Sequence, residues 1–255
     1  MRDIINLVLH LLCNIFYSLS FKNMNLKNYY ILINLSNIFF MTHSHSITTQ
    51  KTARVFTYGT LTSKTKLIWL VAHGYGFLAE YFIKKFEVLS PEEHFIIVPE
   101  GLNRFYLKDM KGRIGANWMT SEDRENEIED YIKYLDNVYE TFISQTTAKI
   151  VGLGFSQGVS TIARWAKHAP NKLNHIVFWG GSLPSECLTD IKWLNQLSPY
   201  LLVGDDDEFI SKEMYENVLK TLDNTGLIFS HIFYKGGHAI LTEPLIQLSE
   251  QLTKP

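Results

Sequence analysis

Cysteine is scarce in this chain. Cys13 and Cys187 are too few for a disulfide framework, and neither belongs to a Cys-x-x-Cys pair. A reducing compartment is compatible with that usage, and the expected location is the cytoplasm. Charge of one sign is lacking too. Against 26 Asp and Glu stand 24 Lys and Arg, scattered along the chain, for a formal net charge of -2. That balance leaves no electrostatic footprint for nucleic acid. His-Glu-x-x-His and phosphate-loop motifs are missing, and His43 with His45 lacks a third ligand in reach, so no metal and no other cofactor is expected. No Pro/Gly/Ser-rich linker or internal repeat divides the chain. With 46% hydrophobic residues in 255, one sizeable core is the expectation.

The first forty residues differ from the rest. They contain no Ala, Gly or Pro, and Asp3 is their one acid. A signal peptide would want a small-residue cleavage site, which is missing. A membrane anchor would want an unbroken apolar run, which Asn6, His10, Asn14, Asn34 and Asn37 interrupt. We therefore expect residues 1–40 to be an atypical apolar extension or a start-site artefact, with membrane association expected only if the extension is real. A single domain is expected over residues 41–255.

From Met41 the pattern alternates strand and helix. Residues 54–60 alternate as an edge strand does, and the continuous apolar runs 67–72 and 95–98 suit strands covered on both faces. The periodicity predicts helices over 79–89 and 122–144, the latter with Ile128, Ile132, Leu135, Val138 and Phe142 on one stripe and acids in its first turn. Further strands are predicted at 175–179, 200–203 and 228–234, with helices at 211–222 and 241–252. Such alternation means an α/β architecture, a mainly parallel sheet with helices on both faces, whose site lies at the carboxyl ends of the strands.

The stretch 149–158 reads as a buried strand stopped by Gly154-Phe155-Ser156-Gln157-Gly158, with a helix beginning at once and ending before Pro170. This is the pattern of a nucleophile elbow, a turn so sharp that the serine hydroxyl stands exposed above the sheet. Ser156 is the candidate nucleophile. Two rival readings exist: a dinucleotide-binding fingerprint, which Gly152, Gly154 and Gly158 miss by one position, and a plain glycine turn with a helix-capping serine. Partner residues decide among them. Of nine histidines, His73 and His238 fall just past predicted strand ends, and His238, in a Gly-Gly-His turn, is the candidate base. The orienting acid is one of Asp205, Asp206, Asp207 and Glu208, which follow the 200–203 strand. The pattern does not choose among the four.

Taken together, His73-Gly74-Tyr75-Gly76, Gly154-Phe155-Ser156-Gln157-Gly158, Gly204-x-x-Asp207 and Gly237-His238 resemble the phospholipase/carboxylesterase family of α/β-hydrolases, which includes acyl-protein thioesterases. The likeness covers residues 66–252 with its motifs in order. It implies Asp207 as the acid, an oxyanion hole from the backbone N–H groups of Tyr75 and Gln157, and Trp118 on the loop side of the pocket. Val159, where the family commonly has a second glycine, and Phe77-Leu78, where it often has an acid, depart from that pattern. A pocket bordered by Tyr75, Phe77, Tyr106 and Trp118 suggests a small ester or thioester substrate with an apolar portion. The expected activity is hydrolysis through an acyl-serine; the alternative is a non-catalytic binding protein on the same fold. Oligomeric state is not legible.

Overall fold

The computed structural model describes residues 43–143 and 146–254. The chain divides into two units, Met1–Lys51 and Thr52–Pro255. Residues 43–51 of the first are exposed and form no helix or strand. The extension expected over residues 1–40 lies outside the described residues.

The second unit is built on a seven-stranded sheet. Its strands are β1 (Val55–Tyr58), β2 (Leu67–Ala72), β3 (His94–Pro99), β6 (Lys149–Phe155), β7 (His175–Trp179), β8 (Pro199–Gly204) and β9 (Ser230–Tyr234), in the order β1-β3-β2-β6-β7-β8-β9. Six run parallel; β1 lies antiparallel on β3 at the edge, pairing Val55 with Pro99. Two strands, β2 and β7, have the bounds the apolar runs predict, and the other sheet strands agree closely. Every residue of β2 is buried, because consecutive side chains enter different cores. Ile68, Leu70 and Ala72 join one cluster, and Leu67, Trp69 and Val71 the other.

Helices cover both faces. Over the first cluster lie α2 (Arg124–Phe142), α3 (Gln157–His168) and α6 (Lys212–Asn224), through Tyr131, Leu135, Ile162, Trp165, Tyr215 and Leu222. Over the second lie α1 (Ala79–Phe82) and α7 (Thr242–Thr253), through Phe82, Leu245, Leu248 and Leu252. Two short helices, α4 (Ser185–Leu188) and α5 (Lys192–Asn195), fill the connection from β7 to β8. Among the described residues no helix is long and apolar enough to cross a membrane.

One expectation needs correction, and one segment carries structure the pattern does not show. The helix predicted over 79–89 is one α-helical turn, continued by a 3-10 turn at Ile83–Phe86. Buried Glu100 fixes its start, accepting the Ala79 N–H at 3.3 Å while Arg54 forks onto the same carboxylate at 2.9 and 2.8 Å. The connection after Pro99, to which the sequence pattern assigns no strand or helix before residue 122, contains a hairpin, β4 (Asn103–Tyr106) with β5 (Ile114–Asn117). Its four-residue strands and polar, glycine-bearing turn carry too little apolar alternation to register.

The sheet meets α3 with no space to spare. A methyl group on Gly158 would lie 2.0 Å from the Ala72 carbonyl oxygen and 2.9 Å from that of His73, and one on Gly154 would lie 2.3 Å from the Gly158 oxygen. These obstacles are backbone, which cannot step aside. We expect Gly158→Ala to lose about 3 kcal/mol or more, above the usual range for overpacking, measurable as a lowered urea midpoint.

Candidate active site

Where β6 ends, Ser156 takes φ 53 and ψ -118, and α3 begins at the next residue. Positive φ is costly for a serine, and the surroundings impose it. The Ser156 N–H extends the ladder to the Trp179 oxygen at 2.9 Å, while its own carbonyl receives the Val159 N–H at 3.0 Å. The residue therefore belongs to sheet and helix at once.

On the far side of the sheet's carboxyl edge, the loops after β8 and β9 interlock. Asp207 points one carboxylate oxygen at His238 Nδ1, 2.8 Å away, and the other accepts the N–H groups of Phe209 and Ile210 at 2.9 and 3.0 Å. The Asp207 side chain is fully buried. The carboxylate accepts, so His238 donates from Nδ1 and presents Nε2 as a lone pair. Neighbouring acids hold the turn: Asp205 accepts the Gly236 N–H at 2.8 Å and Glu208 the His238 N–H at 3.2 Å. The imidazole is flanked by Phe155 and Phe209, with ring centroids at 4.8 and 4.7 Å.

Gly180 and Gly181, just past β7, form the saddle between the two halves. A methyl on Gly180 would sit 3.3 Å from His238 Nδ1 and 3.5 Å from Asp207 Oδ2, and one on Gly181 would sit 2.5 Å from the Ser156 oxygen. Gly180 also has φ +58, so it meets a conformational as well as a steric demand. Asp207 and His238 are thus brought into hydrogen bond. Ser156 stands across the glycine pair, and no hydrogen bond joins its hydroxyl to His238 among the described residues. The sequence reading missed this saddle, although two glycines directly after a predicted strand were its signal.

The third wall is the loop after β2. Buried His73 donates from Nδ1 to the Gly74 oxygen at 2.8 Å, and its Nε2 accepts the Gly101 N–H at 2.9 Å. Both ring nitrogens are committed to backbone, so this histidine braces the loop. Gly74 leaves room for the serine: a methyl there would lie 3.1 Å from Ser156 Cβ. Trp118 Nε1 donates to the His73 oxygen at 2.8 Å. The Gln157 side chain then ties this corner to α3, accepting the Trp118 N–H at 3.2 Å and donating to the Met119 oxygen at 2.8 Å. Neither the Tyr75 nor the Gln157 backbone N–H meets an acceptor among the described residues.

Two expected pocket residues are placed differently. Trp118 is 1% exposed, packed on the His73 ring at 5.2 Å, and supports the wall from behind instead of lining a pocket. Tyr106 is 51% exposed, and strand alternation gives the inward position to its neighbour Phe105, whose ring lies 5.0 Å from that of Tyr75. Phe77 does line a groove of about 420 Å³ beside the loop. Among the described residues, no three His, Cys, Asp or Glu side chains are grouped as metal ligands.

Solved structures match this fold over most of the chain. Esterase PE8 superposes with a TM-score of 0.59 at 17% identity, covering 78% of this chain and 97% of its own. Zea mays acyl-protein thioesterase 2 gives 0.57 at 18%, covering 79% and 98%, and a Bacillus cereus carboxylesterase gives 0.56 at 16%, covering 79% and 93%. The fold is that of the α/β-hydrolases. Identities this low establish the hydrolase fold and nothing finer. No protein-family model matches the sequence, and no curated protein matches it.

Burial pushes the His73 imidazole down to about 4, against the lesser opposing pull of its bond to Gly74 and the charge of Glu100. In the unfolded chain this ring titrates near 6.5, so the unfolded state takes up a proton that the folded state refuses. Its contribution to stability is therefore complete above pH 6.5 and falls as the pH drops towards 4. The loss amounts to about 1.4 kcal/mol per pH unit, about 3 kcal/mol in all. Urea titrations from pH 7.5 to 4.5 should show a slope shallower by roughly that amount in His73→Gln than in the natural protein.

Proposed function

We propose that this protein is a serine hydrolase that cleaves carboxylic esters or thioesters through an acyl-serine intermediate. The observation that carries the reading is the 2.8 Å Asp207–His238 bond, set across Gly180 and Gly181 from a serine held at positive φ on a strand-to-helix turn. Several solved structures with this fold are named as esterases, carboxylesterases or thioesterases, which supports the reaction class.

In this mechanism Ser156 Oγ attacks the acyl carbon as His238 Nε2 takes its proton. A small approach of the two side chains accompanies substrate entry, since catalytic hydrogen bonds commonly tighten in the substrate complex. Asp207 stays ionised, holding the Nδ1–H tautomer and stabilising the imidazolium. The carbonyl oxygen, now negative, is received by the unpaired N–H groups of Tyr75 and Gln157. Donors of that kind are each worth about 3 kcal/mol of barrier. His238 returns the proton to the leaving alcohol or thiol, then activates water to release the acid.

A second reading, a non-catalytic binding protein, draws on the missing Ser156–His238 hydrogen bond. Incubation with a fluorophosphonate probe and a short p-nitrophenyl ester separates the two. The hydrolase reading expects labelling and turnover that vanish in Ser156→Ala, and a fall of about 10³- to 10⁴-fold in kcat for Asp207→Asn. Folded protein that neither labels nor turns over would favour the binding reading.

A further inference from the structure

The groove beside the Tyr75 loop has an apolar floor and a basic lip. Half-buried Phe77 and Leu78, backed by buried Phe82, make the floor, and exposed Tyr81, Lys85 and Arg113 line the rim. Phe77 links the groove to the candidate site: its ring packs at 6.0 Å on that of Phe155, the residue before Ser156. The two walls are fastened together, for Phe77 and Ala116 form an antiparallel bridge, with Gly76 N–H donating to the Ala116 oxygen at 2.8 Å and Ala116 N–H to the Phe77 oxygen at 3.2 Å. The cleft is therefore formed before any ligand arrives. Its lining contains no carboxylate, and neither Lys85 nor Arg113 forms an ion pair among the described residues. By contrast, Arg54 is paired with Glu100 and Lys66 with Glu93. An apolar trough ending in two uncommitted cations is complementary to an apolar arm ending in an anion.

We propose that the ester substrate carries an acyl arm that lies along Phe77 and Leu78 and ends in an anionic group, carboxylate or phosphate, held by Lys85 and Arg113. The guanidinium supplies a planar fork for two oxygens of the terminus, and the ammonium a third contact. This inference rests on the ester-hydrolase reading for its chemistry, but its test does not require turnover.

Binding to Ser156→Ala, followed by protein NMR, compares methyl hexanoate with monomethyl adipate, which differ only in a terminal carboxylate. A third arm uses the methyl ester of 6-phosphooxyhexanoate, and the tighter of the two anionic ligands identifies the source. We expect the better anion to bind about tenfold more tightly than the hexanoate at 20 mM NaCl, with the advantage shrinking at 300 mM as screening grows. The ratio should fall to about one in Lys85→Gln/Arg113→Gln and persist in Lys192→Gln, a cation outside the groove. Equal binding of neutral and anionic esters, no detectable binding of either anion, or a preference that survives the double substitution would each overturn the proposal. Failure of the hydrolase reading would appear elsewhere, as natural protein that resists the fluorophosphonate.

Discussion

The site depends on the crossing of α3 over the end of β2, where Gly158 lies against the Ala72 and His73 carbonyls. No side chain of any size fits there. The helix can reach the sheet because Gly154 and Gly158 are bare, and Ser156, trapped between them, has no relaxed conformation available. Its positive φ is a consequence of packing and owes nothing to the serine's own preference. The hydroxyl's exposure above the sheet thus originates in steric exclusion several residues away. The same principle recurs at Gly180 and Gly181, where bare backbone lets the Asp207–His238 pair and Ser156 share one rim.

Histidine takes two opposite roles at that rim. His73 is sealed in the interior, with both nitrogens bonded to backbone and its charge suppressed by burial. His238 spends one nitrogen on a buried carboxylate and keeps the other uncommitted. Position past a strand end selected both as candidates. Flanking residues separate them: two glycines bring one imidazole over the sheet, whereas the Gly101 amide and the Trp118 indole lock the other beneath it.

Much of the architecture was legible in the chain because the parallel strands are covered on both faces and so read as unbroken apolar runs. Strands β2 and β7 appear with their full bounds, and the strand–turn–helix pattern located Ser156. Asp207 could not be told from Asp205, Asp206 and Glu208 by pattern alone. All four are acids in one turn tied to the β9 loop, and the carboxylate of Asp207 is the one that reaches the His238 ring, a distinction made by contacts between segments about thirty residues apart. The hairpin β4–β5 escaped notice for a different reason. Its stability comes from docking on Gly76 and Phe77, where Gly115 permits contact that any larger residue would block, and local alternation contributes little. Trp118 was assigned to the pocket through the family resemblance, but a large ring with one N–H does better buried against a carbonyl, and that is where it sits.

The hairpin is anchored at its base and exposed at its tip. Asn103 donates to Glu127 at 2.7 Å, and Ala116 is stitched to the Gly76–Phe77 backbone, whereas Lys108, Met110 and Lys111 in the turn are exposed. Length and chemistry can therefore vary in the turn without disturbing the framework beneath it. The architecture separates a glycine-lined corner around Ser156 that tolerates almost no revision from a rim that can be rewritten residue by residue, so in the proposed hydrolase a lineage changes its diet at the hairpin tip and leaves the corner alone.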